Sequence, residues 1–192
     1  MIEPNMSTEF SDSENQQLSA LIGSKLLFVG GKDLPEFLVA SQIVISTTKG
    51  ALVVEGDVVE SGFEGYVENY SRIRVRPSPA KEVSNLQIRG HVYFQHAGEL
   101  IRNVFVVRRV ITELKQGVQS WTLATSRAVV LDFGTTQLCL SKLGEHDEAL
   151  AITDMHGFEI GKVPETSSYF EVDLETGYQV HDEIILLNEP YA

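Results

Sequence analysis

Two stretches of this chain share one form, in which an apolar run, a polar turn with glycine and a second apolar run follow one another. Residues 41–54 read SQIVISTTKGALVV, and residues 126–140 read SRAVVLDFGTTQLCL. Runs of β-branched residues around such a turn are typical of a β-hairpin, because glycine readily adopts the positive φ values that tight turns need. The chain is therefore predicted to build one hairpin in each half.

The segments that precede the two hairpins are also similar to each other. LIGSKLLFV precedes the first hairpin, and LIRNVFVVR precedes the second. In both cases a Leu-Ile pair leads into a strand and then into a hairpin, which suggests two similar halves at about 14–90 and 91–192. This duplication is an interpretation, since a strand followed by a hairpin also recurs by chance in β-rich chains.

The remaining sequence also favours strands. YSRIRVRP places Ile73 and Val75 on one face of a strand and arginines on the other, while GHVYFQH, NVFVVRRVITEL and SWTLATS are rich in β-branched and aromatic residues. Residues 1–13 are predicted to form a mobile polar tail. A short helix is predicted to begin with a cap at Ser13 and to run to about Ile22, AKEVSNL suggests a helical turn, and EIILLNE fits either a strand or a short helix.

These elements predict a mainly β fold, or an α+β fold with minor helix. The sheets are expected to be antiparallel, possible arrangements being a sandwich or a barrel-like pairing of two similar strand-hairpin halves. Residues 14–192 are expected to form a single globular domain. A chain of 192 residues can bury a large enough core to fold without disulfides or metal.

Charge is distributed unevenly along the chain, whose net charge is −12. The net charge is −8 over residues 1–71, +7 over residues 72–127 and −11 over residues 128–192. One interpretation is that the basic middle pairs with its acidic neighbours within the fold. The other is that some acidic surface faces a basic partner. A net charge of −12 argues against nucleic-acid binding, because contacts to phosphates need a cationic surface.

The N-terminal residues and the cysteine content suggest a compartment. MIEPNMSTEFSDSENQQ has neither the basic nor the apolar region of a signal peptide, and no run of about 18 apolar residues is present. Cys139 is the single cysteine, which fits a reducing environment. We therefore expect a cytoplasmic protein that does not associate with membranes.

No motif for a familiar chemistry is present. EHDE at 145–148 and VHDE at 180–183 each put a histidine beside carboxylates, and we interpret them as solvated acidic loops rather than metal ligands. Cys139 lies between leucines in QLCLS and is expected to be a packed strand residue, not a thiolate nucleophile. VGGK at 29–32 lacks the spacing of a phosphate-binding loop, so no cofactor is predicted.

Three arginines at alternate positions, Arg72, Arg74 and Arg76, are the most ordered polar feature of the sequence. An exposed cationic face of this kind is one feature of nucleic-acid-binding surfaces. Glu64 and Glu68 lie just before it, so we expect these arginines to meet carboxylates of neighbouring strands instead.

The sequence therefore favours a non-enzymatic, acidic protein that binds another protein with a basic surface. Neutralisation of a cationic toxin, as by an immunity protein, is one form of this hypothesis, and an adaptor is another. The alternatives are an enzyme with a carboxylate pair in a cleft and a β-barrel that binds a small ligand. The acidic C-terminal third is predicted to supply the partner-binding residues, which are Glu145, Asp147, Glu148, Asp173 and Glu175.

Overall fold

Twelve strands and two helices make up the part of the chain that the computed structural model describes, which is residues 6–32, 34, 38–63, 66–89, 91–157, 159, 163 and 175–188. In chain order the strands are β1 (Met6–Thr8), β2 (Leu26–Gly30), β3 (Val39–Ala40), β4 (Gln42–Thr47), β5 (Gly50–Phe63), β6 (Tyr66–Pro77), β7 (Val92–Tyr93), β8 (Asn103–Lys115), β9 (Val118–Asp132), β10 (Thr136–Lys142), β11 (Leu150–His156) and β12 (Thr176–Leu187). The helices are α1 (Asp12–Ser19) and α2 (Ala80–Arg89), and neither is long and apolar enough to cross a membrane. Strands account for 62% and helices for 11% of the described residues, so the prediction of a mainly antiparallel β fold is confirmed.

The larger sheet has seven strands. Its order is β12-β8-β9-β10-β11-β3, and β1 adds to it by pairing parallel to β9. β3 comes from the first half of the chain and pairs with β11, where Ala40 lies opposite Leu150. At the other end of the order, β12 pairs with β8 from Thr176 opposite Lys115 to Leu187 opposite Val104.

The smaller sheet has five strands, in the order β6-β5-β4-β2-β7. One of the two sheets curls into a half-barrel. The first predicted hairpin is β4–β5, with Val44 opposite Val53, and Gly50 in its turn has a φ of 141°. The second is β9–β10, with Leu131 opposite Leu138. Both hairpins are therefore confirmed.

The main hydrophobic core takes side chains from both sheets. It includes Val29, Ile43, Ile45, Val54 and Ile73 of the five-stranded sheet and Val104, Val129, Leu131, Leu138, Leu140 and Ile152 of the seven-stranded sheet. Successive side chains of a strand point to opposite faces, and Val130 next to Val129 belongs to a second apolar cluster with Cys139 and Met155. The seven-stranded sheet therefore buries apolar side chains on both faces, which explains why its central strands read as continuous apolar runs.

The N-terminal residues do not form the tail that the sequence predicted. β1 pairs with β9, and Met6 and Phe10 are buried, so the prediction is wrong for residues 6–13, and residues 1–5 lie outside the described part. The helix that follows is confirmed, but its cap is Ser11 rather than Ser13. The Ser11 side chain accepts a hydrogen bond from the Glu14 backbone while the Glu14 carboxylate accepts one from the Ser11 backbone, which is a capping box.

The two halves share a strand order over four strands, although in the first half β3 lies between β2 and β4 in the chain and joins the other sheet. β2, β4, β5 and β6 are successive neighbours in one sheet, and β8, β9, β10 and β11 are successive neighbours in the other. The hairpin lengths are reversed, however, because a six-residue strand precedes a 14-residue strand in the first half, and a 15-residue strand precedes a seven-residue strand in the second. The order agrees with the proposed duplication without establishing it, since antiparallel meanders are common.

Candidate functional site

β12 and β6 are twelve-residue strands at the edges of the two sheets, and of the two only β12 lacks a stripe of arginines and a proline. β12 has twelve residues and pairs with β8 alone. Four of its large apolar side chains are exposed, namely Val180 (48%), Ile184 (40%), Ile185 (39%) and Leu186 (50%). An edge strand presents backbone N–H and C=O groups to solvent, and a long apolar edge is a template for another strand. We call this edge, with its four apolar side chains, the β12 edge.

Three of the usual protections of an edge strand, namely proline, lysine and a β-bulge, are missing from β12. Its sequence, TGYQVHDEIILL, contains neither proline nor lysine, and its pairing with β8 runs through all twelve residues without a bulge. Its register is also well fixed, because the side chain of Leu187 packs against the main core. The β12 edge is therefore held in place and remains open on its outer side within the described part of the chain.

The carboxylates of β12 are directed to arginines of its own sheet. Asp182 accepts hydrogen bonds from Nε (2.7 Å) and Nη2 (2.8 Å) of Arg109 and pairs with Arg127 as well, while Glu183 accepts a 2.6 Å bond from Arg108. Burial on its own would raise the pKa of Asp182, but the hydrogen bonds and the positive charges of Arg109 and Arg127 hold that pKa below its ordinary value. These ion pairs anchor β12 and neutralise its two acidic side chains.

A buried lysine joins the two sheets beside this anchor. Nζ of Lys142 donates to the backbone oxygen of Ser71 (2.8 Å), to Oγ1 of Thr125 (2.8 Å) and to Oε2 of Glu145 (2.9 Å). Burial lowers the pKa of Lys142, and the charge of Glu145 opposes that effect. Nη1 of Arg109 lies 3.6 Å from Oε1 of Glu145, so the carboxylate of Glu145 forms ion pairs with both Lys142 and Arg109. The network ties β6 of one sheet to β9 and β10 of the other.

The predicted partner-binding residues occupy different environments. Glu145 is only 1% exposed and holds Lys142, so an interior cation satisfies its charge, and its contact with a partner stays a prediction. Asp147 and Glu148 are exposed on the loop that follows. Glu175 is exposed directly before β12, and Asp173 lies outside the described residues. The structure therefore leaves two acidic positions in one loop and one at the start of the β12 edge.

EHDE and VHDE are not the solvated acidic loops that the sequence analysis expected, because Glu145 is buried and VHDE lies within β12. Glu145 of EHDE and Asp182 of VHDE do converge, but both contact the guanidinium of Arg109, and His181 is exposed. Within the described residues, no group of three or more His, Cys, Asp or Glu side chains could hold a metal ion. Cys139 is buried as expected, and burial raises its pKa to about 12.

A different histidine, His96, lies at the junction of the two sheets. Its Nε2 is 2.8 Å from Oδ1 of Asp154 and its Nδ1 is 2.8 Å from Oε1 of Glu99. Tyr93 donates to the other oxygen of Asp154 (2.5 Å), and the imidazole stacks on Phe133 with centroids 4.7 Å apart. Both ring nitrogens therefore face carboxylates of the protein, and the arrangement holds the two sheets together at this junction.

The arginine stripe is paired, as the sequence analysis expected. Arg74 lies 3.6 Å from Asp57 of β5, Arg76 lies 3.4 Å from Glu55 of β5, and Arg72 lies 3.1 Å from Glu14 of α1. Each distance joins a guanidinium nitrogen to a carboxylate oxygen. These pairs show that part of the basic middle segment neutralises the acidic N-terminal third within the fold.

Sequence analysis missed the β12 edge itself. EIILL places four apolar residues in a row, which matches neither the alternation of a half-buried strand nor the period of a helix. Such a run also fits an edge strand that exposes apolar side chains on both faces. The run was therefore the sequence feature from which the β12 edge could have been predicted. No protein-family model, curated protein or solved structure matches the chain.

Proposed function

We propose that the protein binds another protein by adding a strand of that partner to the β12 edge. The observation that carries the proposal is an edge strand that pairs with β8 alone in the described sheet and exposes four large apolar side chains between Val180 and Leu186. In strand addition, backbone hydrogen bonds supply affinity, and alternate side chains supply specificity. The internal ion pairs of Asp182 and Glu183 favour this use, because a partner strand meets charges that are already neutralised.

The proposed occupant is a different protein with a basic surface rather than a second copy of this chain. A second copy would bring another net charge of −12 to the interface, and like charges oppose association. Glu175 at the start of β12 and the exposed pair Asp147 and Glu148 would instead attract a cationic partner and speed its approach. A cationic toxin is one class of partner with this charge.

The exposed apolar side chains of β12 determine how much binding free energy a partner strand is expected to gain. Full burial of a Val, Leu or Ile side chain contributes about 1.5–3 kcal/mol, and roughly half of that remains to be gained when 40–50% of the side chain is exposed. Covering Ile184 and Leu186 together would then contribute about 1.5–3 kcal/mol. This corresponds to about 10- to 150-fold in the dissociation constant.

The proposal can be tested with random 12-residue peptides displayed on phage and selected against the wild-type protein. We expect the selected peptides to alternate apolar residues and to be enriched in Lys and Arg. Their affinity, measured by fluorescence anisotropy, should fall about 10- to 150-fold for the double variant Ile184→Lys/Leu186→Lys. Leu27→Lys is the matched control, since Leu27 is 44% exposed on β2 of the other sheet.

Three results would contradict the proposal. Selection could yield no binder, the double variant could bind as well as the wild type, or the control could lose as much affinity as the double variant. Sedimentation equilibrium supplies the remaining check. A wild-type dimer that Leu186→Lys dissociates would show that the occupant is a second copy and that the proposed partner is wrong.

A further inference from the structure

A groove beside the five-stranded sheet gathers positive charge. Its volume is about 480 Å³, and it lies between α2 and the ends of β2 and β6. Its charged and titratable lining residues are Lys32, Arg76, Lys81, Glu82, Arg89 and His91. We propose that this α2 groove binds a small polyanion that carries phosphate or carboxylate groups. The proposal is independent of the β12 edge.

Close packing of α2 on β2 forms the floor of the groove. A Cβ atom on Gly30 would lie 3.1 Å from Cδ1 of Leu86 and 3.2 Å from the backbone oxygen of His91, so a glycine lets the helix approach this closely. The backbone N–H of Gly31 donates to the same oxygen of His91 at 3.1 Å. The cations of the groove therefore project from a fixed scaffold, and Leu86 lies among them as an apolar contact surface.

Three of the four lysine and arginine residues of the α2 groove form no ion pair with a carboxylate of the described residues. Arg76 is held by Glu55 and Glu82 at 3.4 Å each. In contrast, no carboxylate of the described residues lies within ion-pair distance of Lys32, Lys81 or Arg89. This differs from the arginine stripe and from the anchor of β12, where each cation meets a carboxylate.

The position of Lys81 adds a second argument. Lys81 lies in the first turn of α2, where the helix macrodipole is positive and a cation is disfavoured. A bound anion would relieve this repulsion and would also neutralise Lys32 and Arg89. In a chain with a net charge of −12, a concavity lined by three cations that have no ion-pair partner among the described residues fits an anionic ligand better than a general surface role.

The size of the cavity defines the class of ligand. A volume of about 480 Å³ lies within the range of small-molecule sites. A second cavity of about 220 Å³ shares Lys32, Glu82 and Leu86 with the groove and reaches Ser41 and Gln42, which offer neutral polar groups. Lysine and arginine recognise phosphate and carboxylate oxygens alike, so the shared chemistry is two or more anionic groups on a compact molecule.

Isothermal titration calorimetry of the full chain tests the proposal with two probes, pyrophosphate and citrate. We expect saturable binding of at least one of them, at least tenfold weaker in Lys32→Gln/Lys81→Gln/Arg89→Gln. The control is Lys25→Gln/Arg74→Gln/Lys115→Gln, which removes the same charge outside the groove and should change the affinity less than threefold. Binding of pyrophosphate alone would identify a phosphate site, and binding of citrate alone a carboxylate site.

Backbone amide resonances locate the bound probe. In ¹⁵N-edited spectra, the probe should shift the signals of Gly31, Lys32 and Lys81 in the wild type, while the unbound groove variant keeps the dispersed spectrum of a folded protein. The proposal is overturned if neither probe binds, if the groove variant binds as tightly as the wild type, or if the control loses as much affinity as the groove variant.

Discussion

Gly56 of β5 should be one of the least replaceable residues of the fold. A Cβ atom on Gly56 would lie 1.8 Å from the backbone oxygen of Glu148 and 2.6 Å from its carbonyl carbon, well inside van der Waals contact. Since a backbone group cannot rotate away as a side chain can, Gly56→Ala must displace either β5 or the loop 143–149. The loop carries the exposed residues Asp147 and Glu148, so the contact also positions the acidic side chains that are proposed to attract the partner.

The loss of stability in Gly56→Ala can be estimated from the hydrogen bonds that hold the loop 143–149 in place. The backbone oxygen of Glu145 accepts a 2.6 Å hydrogen bond from Ser71, and Nδ1 of His146 lies 2.6 Å from the backbone oxygen of Asn69. Each such bond contributes about 0.5–1.5 kcal/mol, and misplacing Glu145 also weakens its pair with Lys142. We expect Gly56→Ala to lower the free energy of unfolding by about 2–4 kcal/mol, which for a chain of this size lowers Tm by about 5–15 °C.

Urea denaturation followed by tryptophan fluorescence measures this difference. The matched control is Gly177→Ala in β12, where a Cβ atom would meet nothing within 4 Å and the backbone needs no positive φ. The control should change the free energy of unfolding by less than about 0.5 kcal/mol. If Gly56→Ala were as mild as the control, the close approach of the loop to β5 would be wrong.

Three further predictions concern the buried charges and the thiol. Lys142→Met should lower the free energy of unfolding in urea by about 3–5 kcal/mol, because it leaves the buried carboxylate of Glu145 with only the more distant guanidinium of Arg109; a smaller loss than for an exposed lysine would contradict the network. Asp182 has a depressed folded-state pKa, so its ion pairs stabilise the protein above the unfolded pKa of about 3.9 and lose that effect as the pH falls through the folded value. The stability difference between the wild type and Asp182→Asn should therefore be constant at neutral pH and shrink below about pH 4, and a difference that grew in acid would refute the sign. Cys139 should not react with a thiol reagent at pH 8 until the protein unfolds, since its pKa is raised to about 12; rapid labelling of the native protein would show that the second apolar cluster is open.

The features that the sequence predicted depend on local patterns. The two hairpins follow from apolar runs around glycine-containing turns, and the inward direction of Ile73 (0% exposed) and Val75 (5%) follows from simple alternation. The sequence signal for the cap of α1 was local as well, since SDSE at 11–14 has the Ser-x-x-Glu spacing of a capping box. The prediction placed the cap at Ser13 and therefore missed Ser11.

The features that the sequence could not predict depend on distant partners. Residues 6–8 read as a polar tail, yet Oγ1 of Thr8 donates a 2.7 Å hydrogen bond to Oγ1 of Thr125, which is 117 residues away. Glu145 was predicted to be a surface residue, because its ion pair with Arg109 joins two segments that are distant in the sequence. EIILLNE could be assigned to a strand only once its pairing with β8 was known.

The same limit applies to both proposed sites. The unprotected status of the β12 edge is a property of strand order, because the same residues in a central strand would be covered on both sides. The α2 groove collects Lys32, Arg76 and Arg89 from separate elements, and nothing in their spacing along the chain shows that they share a cavity.

Amide hydrogen exchange of the protein with and without a selected peptide tests strand addition at β12 most directly. If a partner strand adds to the β12 edge, the amides of residues 176–187 that face outward should exchange at least tenfold more slowly in the complex, because they gain backbone hydrogen bonds. The loop 143–149 should change little by comparison. Slower exchange in that loop or at α2, with β12 unchanged, would contradict the account and place the partner elsewhere.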